Sequence, residues 1–260
     1  MGKKECKTKE APMRLYLIRH AEPDYSIDSL TPKGWVEAEL LSQRMAKYDI
    51  RDYYVSPLGR ARDTAGLTLA KVGRTAETLP WLPEFRGRYI DPKTGEKRLP
   101  WDLKPRLWTS LPGALDIHTW TEIPLFQRGD VQAIWKETTD GVDALLARYG
   151  LRKDGPIWLC EENRKESIAL FCHFGIAMAV LAYLTDLSPM ILWHRAFCAP
   201  SSVTEVVSEE RVRGEISWRI TKLGDLTHLE AAGEAPSTAG LFPEIYTGID
   251  STDPAVNGTR

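Results

Sequence analysis

Segments typical of strands and segments typical of helices alternate along this chain of 260 residues. The first, Arg14–Ile18, is a short apolar run of the kind that forms a strand buried on both faces of a sheet. Thr31 and Pro32 follow as the N-cap and first-turn residues of a helix, after which apolar residues recur at spacings of three and four. This alternation predicts an α/β fold with three layers, α/β/α, around a mostly parallel central sheet.

The same pattern continues along the chain. The remaining strand candidates are 53–56, 76–79, 157–160, 168–172, 203–207 and 215–221, and the remaining helix candidates are about 58–72, 130–149 and 175–187. Ser56 and Pro57 repeat the cap signature that precedes the first helix. We interpret Ile157–Cys160 and Ile168–Cys172 as a hairpin, because the short polar run Glu161–Lys165 separates them.

The alternation stops between Phe85 and about Gly129. This segment contains five prolines and three tryptophans, and it shows no period of two or of 3.6. A structureless loop of this length is uncommon in a compact domain. We therefore interpret residues 85–129 as a cap-like insertion that folds over the core of a single domain spanning residues 13–246. The polar residues 1–12 and the segment 247–260 are predicted to be terminal tails.

Charge and cysteine usage exclude several classes of function. Lys and Arg number 34 against 36 Asp and Glu, so no global positive field exists to attract nucleic acid or an anionic membrane. Residues 168–184 are apolar but contain His173 and Gly175, which favours a buried strand running into a helix over a membrane span. The four cysteines form no CxxC pair, which predicts reduced thiols in a cytoplasmic protein. The sequence leaves the oligomeric state open.

Cationic and imidazole side chains follow three of the predicted strands. Arg19 and His20 come directly after the first strand, and Arg60 lies at the start of the helix after the second. His173 comes directly after the strand that ends at Cys172. In open α/β sheets, ligands bind at the carboxyl ends of the strands. Guanidinium and imidazole groups at that edge predict a site for a tetrahedral anion such as phosphate.

Each of these residues also has a structural interpretation when it is taken alone. A single histidine after a strand is commonly a hydrogen-bonded polar residue, and Arg19 or Arg60 alone could be a surface group. Their joint placement favours function, and Glu84, after the strand candidate 76–79, is a candidate proton donor. The remaining histidines, His118, His194 and His228, are interpreted as structural or surface residues. No metal-ligand spacing or glycine-rich phosphate loop occurs in the sequence, so no metal or cofactor is expected.

Five ordered motifs carry a resemblance to a known family. Leu17-Ile-Arg-His-Ala21 resembles the Arg-His-Gly signature of the histidine phosphatase (phosphoglycerate mutase-like) superfamily, with Ala21 in place of the usual glycine. Four further segments resemble the later motifs of that superfamily, in the same order: Leu30-Thr-Pro-Lys-Gly34, Ser56-Pro-Leu-Gly-Arg-Ala-Arg-Asp-Thr-Ala65, Leu82-Pro-Glu84 and Cys172-His-Phe-Gly175. Gly224-Asp-Leu-Thr-His-Leu229 is similar to its closing segment. The segment after Glu84 departs from the compact members.

The resemblance implies a role for each of the candidate residues. His20 would be the nucleophile that takes the phosphoryl group, and Glu84 would be the acid-base residue. Arg19 and Arg60 would bind the phosphate, and His173, as an imidazolium, would complete the catalytic pocket. A phosphohistidine splits one difficult displacement into two easier ones. Two arginines and an imidazolium could supply the charge neutralisation that phosphoryl transfer needs, without a metal.

These roles predict a phosphatase that hydrolyses small-molecule phosphomonoesters. One alternative is a phosphoglycerate mutase; the segment Ala21–Tyr25 lacks the Ser/Thr and Asn pattern of mutases, which favours hydrolysis. Another is a non-catalytic phosphate-binding or scaffold protein with the same fold. The presence of every candidate catalytic and phosphate-binding residue argues against this alternative. The physiological substrate is not predicted. If residues 85–129 cap the pocket rather than form a private hydrophobic core, Arg86 and Arg88 should reach the leaving group.

Overall fold

Eight strands form one mixed sheet in the computed structural model, which describes residues 12–162 and 165–242. In chain order the strands are β1 (Arg14–Arg19), β2 (Pro23–Asp24), β3 (Ser29–Leu30), β4 (Asp52–Val55), β5 (Ala76–Thr78), β6 (Tyr89–Ile90), β7 (Lys97–Arg98), β8 (Leu151–Asp154), β9 (Ile157–Cys160), β10 (Ser167–Cys172), β11 (Val203–Val212) and β12 (Glu215–Asp225). Strands β2–β3 and β6–β7 form separate two-stranded ribbons. The predicted tails lie almost wholly outside the described residues.

The described residues form seven α-helices. They are α1 (Pro32–Met45), α2 (Gly59–Val72), α3 (Pro105–Trp108), α4 (Val131–Ala147), α5 (Phe174–Thr185), α6 (Pro189–Arg195) and α7 (Thr227–Glu230). Three 3₁₀ turns, at Pro100–Asp102, Trp120–Glu122 and Phe126–Arg128, lie between α2 and α4. None of the helices in the described ranges combines the length and the apolar character needed to cross a membrane.

The order of strands in the large sheet is β5-β4-β10-β1-β11-β12-β9-β8. The four strands from β5 to β1 run parallel to one another, and each pairing from β1 to β8 is antiparallel. The predicted α/β fold with a parallel core is therefore confirmed. The antiparallel half was not predicted, because the late strand signals do not reveal their direction.

The predicted hairpin between Ile157–Cys160 and Ile168–Cys172 is wrong. Strand β10 lies between β4 and β1, whereas β9 pairs with β8 and β12. The burial of the two strands gives the physical reason: β10 is buried at five successive positions, as a central parallel strand must be, while β9 alternates between half-buried and buried residues. A polar connection between two strands does not require that they pair with each other.

The two faces of the sheet are covered by different helices, which confirms three layers. On β1, Leu15 and Leu17 face a large apolar cluster that includes residues of α4 and α5. The alternate residues Tyr16 and Ile18 face a second cluster with residues of α1 and α2. This alternation is the period-two geometry of a strand buried on both sides.

The helices α1 and α2 begin in different ways. Thr31 caps α1 as predicted, because its hydroxyl accepts a hydrogen bond from the N–H of Gly34. The predicted cap of α2 by Ser56 is wrong: α2 begins at Gly59, and the carboxylate of Asp28 accepts the Gly59 N–H at 2.7 Å. The hydroxyl of Ser56 instead contacts a histidine of the candidate site.

The segment 85–129 packs on the α5 face of the sheet. Its tryptophans, Trp101, Trp108 and Trp120, are buried in the same apolar cluster as α4 and α5. The ring centroid of Trp193, on α6, lies 5.2 Å from that of Trp101 and 5.5 Å from that of Trp120. The aromatic residues of the segment thus join the main core instead of forming a private one.

Candidate active site

The two candidate histidines meet at the carboxyl edge of the parallel strands. His20 follows β1 and His173 follows β10, and these strands are direct neighbours in the sheet. Their ring centroids are 5.0 Å apart, and both side chains are almost completely shielded from solvent. Arg60 joins them from the first turn of α2. The structure therefore brings together the residues that the strand ends predicted.

The backbone carbonyl of the next residue, Ala21, orients the ring of His20. Its Nδ1 atom lies 2.8 Å from the carbonyl oxygen of Ala21, which can only accept, so Nδ1 carries the hydrogen. Burial lowers the pKa of His20 well below 6.5, and the nearby Arg19 and Arg60 lower it further. The ring is therefore neutral at physiological pH, and its Nε2 atom keeps the lone pair that a nucleophile needs.

His173 is neutral as well, contrary to the imidazolium expected from the sequence. Burial lowers its pKa well below 6.5, and the facing His20, Arg60 and Arg19 act in the same direction. Its Nε2 atom lies 2.7 Å from the hydroxyl oxygen of Ser56. Its Nδ1 atom is buried without a hydrogen-bond partner among the described residues. A polar atom left in this state is suited to a ligand.

The two candidate phosphate-binding arginines are fixed by different contacts. Arg19 donates from Nη1 to the carbonyl oxygen of Cys198 at 2.6 Å and from Nη2 to that of Ala239 at 3.1 Å. Arg60 donates from Nη1 to the Asp28 carboxylate at 2.5 Å, and its guanidinium carbon lies 5.3 Å from the ring centroid of Tyr25. Both guanidinium groups are therefore positioned before any anion binds.

Glu84 reaches the same edge through the start of α5. Its Oε1 atom accepts hydrogen bonds from the N–H groups of Phe85 at 2.8 Å and Ile176 at 3.0 Å. These bonds leave Oε2 as the oxygen that can carry a proton. A Cβ atom at Gly175 would stand 2.7 Å from Oε1 and 2.5 Å from the Trp101 ring. Glycine at position 175 is therefore required for this approach.

These side chains open into a cavity of about 840 Å³. Its wall contains Arg19, His20, Arg60 and Glu84, and it continues along residues of 85–108 and of 193–197. Pockets of several hundred cubic ångströms hold a whole small-molecule ligand rather than a phosphate group alone. Among the described residues, no group of three or more His, Cys, Asp or Glu side chains is arranged to hold a metal ion.

Several residues that contact or line the site were not identified from the sequence. Ser56 was interpreted as a helix cap, and Asp28 carried no signal of its own. His194, interpreted as structural or surface, lines the cavity and stacks on Trp108 at a centroid distance of 4.5 Å. The other two histidines stay outside it: His118 is exposed, and His228 is buried against Ser201 and Arg44.

The arginines predicted to reach the leaving group, Arg86 and Arg88, both line the cavity. Arg86 is ion-paired with Glu137, its Nη2 atom lying 2.6 Å from the carboxylate. The exposed ion pair with Glu137 reduces the charge that Arg86 can offer to a ligand.

No cysteine of the described residues lines the cavity. Cys160, Cys172 and Cys198 are buried free thiols, and Cys6 lies outside the described residues.

Known proteins resemble this chain in sequence and in fold. Residues 15–98 match the model of the histidine phosphatase superfamily (branch 1). A Hydrogenobacter thermophilus protein with the provisional name phosphoserine phosphatase 2 is 43% identical over 61 residues, which cover 20% of this chain and 30% of that protein. This chain therefore matches less than a third of that relative.

Two solved structures share the fold. A mycobacterial glucosyl-3-phosphoglycerate phosphatase matches with a TM-score of 0.54 at 20% identity, covering 81% of this chain and 98% of its own. A mutant phosphoserine phosphatase of Entamoeba histolytica, in complex with phosphoserine, matches with a TM-score of 0.54 at 20% identity, covering 84% and 99%. The resemblance drawn from the five motifs is confirmed: residues 15–98 match the model of the histidine phosphatase superfamily, and the chain shares the fold of these solved phosphatases.

Proposed function

We propose that this protein is a phosphatase that hydrolyses small-molecule phosphomonoesters through a phosphohistidine on His20, without a metal. One observation carries the proposal: Nδ1 of a buried, neutral His20 is held by the Ala21 carbonyl, which leaves Nε2 available beside His173 and two arginines. Such a ring can attack phosphorus while the guanidinium groups compensate the charge of the phosphoryl oxygens.

The first half-reaction transfers the phosphoryl group to the enzyme. Nε2 of His20 forms a bond to phosphorus as the bond from phosphorus to the ester oxygen breaks. The electron pair of that bond leaves on the oxygen, which takes a proton from Oε2 of Glu84 and departs as an alcohol. Arg19 and Arg60 hold the non-bridging oxygens, and Nδ1 of His173 is suited to a third contact with them.

The second half-reaction releases phosphate to water. A water molecule attacks the phosphorus of the phosphohistidine, and the carboxylate of Glu84 takes a proton from it. The bond between Nε2 and phosphorus breaks with its electron pair returning to the ring of His20. Inorganic phosphate leaves, and both residues are restored to their starting protonation states.

Hydrolysis of phenyl phosphate in the presence of a chelator tests the proposal. The wild-type protein should release phosphate, and acid-labile radioactive phosphate should be trapped on it after rapid quenching. His20→Ala should lose both, whereas the exposed His118→Ala should keep both. Label remaining on His20→Ala would show that another group is attacked, and no release by the wild type would contradict the phosphatase.

A mutase would behave differently in a second assay. Phosphoglycerate isomerisation that depends on a bisphosphoglycerate primer would assign phosphoryl transfer back to substrate instead of to water.

We place the protein in the cytoplasm, and the free, buried Cys160, Cys172 and Cys198 support that proposal because reduced thiols persist there.

A further inference from the structure

The cavity wall beyond the phosphate-binding residues is rich in positive charge. Apart from Glu84, the only carboxylate among the described lining residues is Asp102. Basic side chains outnumber it: Arg86, Arg88, Lys104 and Arg195 line the same wall. The leaving group of a phosphomonoester would occupy this part of the cavity, because the phosphate itself must lie against His20.

Arg195 differs from the other cations in its surroundings. It is the last residue of α6, and its guanidinium carbon lies 5.0 Å from the ring centroid of Trp108. Like the side chain of Arg88, it makes no hydrogen bond or ion pair with any residue of the described ranges, whereas Arg86 is ion-paired with Glu137; the contact with Trp108 is what sets Arg195 apart. A guanidinium held on an aromatic ring is pre-positioned, and it keeps its donors for a carboxylate.

Arg195 and the phosphate-binding residues line the same cavity. Arg195 and Phe197 are two residues apart, so their Cα atoms are separated by at most about 7 Å. The ring centroid of Phe197 lies 5.9 Å from the guanidinium carbon of Arg19. Because all three residues line one cavity of about 840 Å³, a ligand that fills it can contact the phosphate-binding residues and Arg195 together.

Aromatic rings form the wall between these two points. Phe174 and Phe197 face each other with centroids 6.5 Å apart, and both lie within 6 Å of the guanidinium carbon of Arg19. Trp101 and Trp108 line the same cavity from the segment 85–129. Walls of this kind favour a flat, apolar ligand body over a strongly hydrated one.

We infer that Arg195 is a specificity residue that binds a carboxylate on the leaving group, so that the preferred substrates are phosphomonoesters of carboxylated aromatic or otherwise flat apolar alcohols. The inference rests on the proposed function, because it names the substrate class of the same site. Specificity must come from such contacts, since the phosphate is common to all phosphomonoesters.

A matched pair of probes tests the inference: phenyl phosphate and 3-carboxyphenyl phosphate, which differ by one carboxylate. The wild-type protein should show a KM about tenfold lower for the carboxylated ester, as expected for a charge-assisted contact. Arg195→Gln should remove this preference, and Arg195→Lys should restore part of it. Arg106→Gln, which removes an exposed arginine of α3 outside the cavity wall, should keep the preference in full.

Binding of the same two esters, followed by tryptophan fluorescence, separates this inference from the proposed function. If the wild type binds the carboxylated ester more tightly, Arg195→Gln removes the difference and neither ester is hydrolysed, the carboxylate contact of Arg195 stands while the phosphatase, and with it the substrate class, fails. If both esters are hydrolysed with equal KM, or if Arg195→Gln leaves the preference intact, the inference is overturned while the phosphatase stands. A preference lost equally in Arg106→Gln would also overturn it.

Discussion

The hydroxyl oxygen of Ser56 lies 2.7 Å from Nε2 of His173, and neither side chain is exposed to solvent. The same oxygen accepts the N–H of Leu58 at 3.3 Å, so the hydroxyl hydrogen is free to point at the imidazole. When the Ser56 hydroxyl donates to Nε2, that nitrogen acts as the acceptor and the ring hydrogen lies on Nδ1. Nδ1 is the buried atom that has no partner among the described residues. We therefore propose that Ser56 is a positioning residue that prepares His173 to donate to phosphate.

We predict that Ser56→Ala weakens phosphate binding more than it weakens the fold. Without the hydroxyl, His173 can adopt either tautomer, and the inhibition constant of inorganic phosphate should rise about tenfold. The free energy of unfolding should fall by about 1 kcal/mol, the usual effect of one lost hydrogen bond. Phosphate inhibition and urea unfolding measure the two quantities.

The matched control for this prediction is Ser42→Ala. Ser42 is equally buried, and its hydroxyl donates to the carbonyl oxygen of Glu39 within α1, away from the cavity wall. A comparable loss of stability with no change in phosphate inhibition is expected. Equal effects of Ser42→Ala and Ser56→Ala on phosphate inhibition would remove the positioning role.

The proposed proton donor, Glu84, gives a second prediction, which depends on the leaving group. Glu84→Gln keeps the oxygen that can accept the N–H groups of Phe85 and Ile176 but cannot deliver a proton. Alkyl phosphates, whose leaving groups need protonation, should lose about 10² to 10⁴ in kcat. Nitrophenyl phosphate, with a good leaving group, should lose much less. Steady-state rates with both esters check this, and equal losses would indicate that Glu84 only positions other groups.

The third prediction concerns protonation of the two site histidines. Their pKa values are lowered well below 6.5 in the ligand-free protein, mainly by burial. Nitrogen NMR of histidine-labelled protein should therefore show His20 as the neutral Nδ1–H tautomer at pH 6, where an ordinary histidine is mostly charged. Adding phosphate should raise the pKa of His173, because an anion favours the charged ring. A ring of His20 that titrates near pH 6.5 without phosphate would contradict the neutral nucleophile.

The assignment of these signals needs single-residue controls. His20→Ala should remove one set of ring signals, and His118→Ala should remove another without disturbing the rest, because His118 is exposed and is not a residue of the cavity wall. The pKa of His228 is lowered to about 4 by burial and by Arg44. Its ring should stay neutral across the same range and serve as an internal reference.

Local patterns predicted the half of the site that depends on strand ends. Arg19, His20 and His173 each follow an apolar run directly, and the rule for parallel sheets then places them at one edge. Contacts between distant segments could not be predicted in this way. Ser56 shows the difference: its cap-like signature predicted the wrong contact, because the hydroxyl lies against His173, which is far along the chain.

The remaining contacts of the site depend on backbone approaches that leave little mark in a sequence. The carbonyl oxygen of Ala239 accepts from Arg19 across 220 positions of the chain, and any residue could supply that group. The approach of Glu84 and Trp101 to Gly175 requires a missing side chain, yet a single glycine does not say what comes close to it. The direction of β11, β12 and β9 was equally hidden, because strand length and polarity do not encode pairing partners.

The last prediction concerns stability and a carboxylate outside the cavity wall. Glu37, on α1, has no exposed surface, and its Oε2 atom accepts the N–H of Glu22 at 2.8 Å. Burial raises its pKa to about 7, while Lys33, 3.9 Å away, offsets this only in part. The folded protein therefore holds this proton more tightly than the unfolded chain, in which the pKa is near 4.5. The contribution of Glu37 to the free energy of unfolding should therefore fall as pH rises from about 4.5 to 7, by up to about 3 kcal/mol.

Glu37→Gln should remove this fall, because the amide stays neutral at every pH. Compared with the wild type, the variant should gain stability as pH rises from 5 through 7, and the difference should level off at about pH 8. Glu39→Gln is the control on the same helix: the pKa of Glu39 is lowered, first by Lys71, so its contribution is complete above its ordinary pKa of 4.5. Its difference from the wild type should be the same at pH 6 and pH 8. Urea unfolding at pH 5, 6, 7 and 8 measures both differences, and since the buried histidines titrate alike in all three proteins, their contribution cancels. Parallel curves for Glu37→Gln and the wild type would show that Glu37 is already ionised in the folded protein at pH 5.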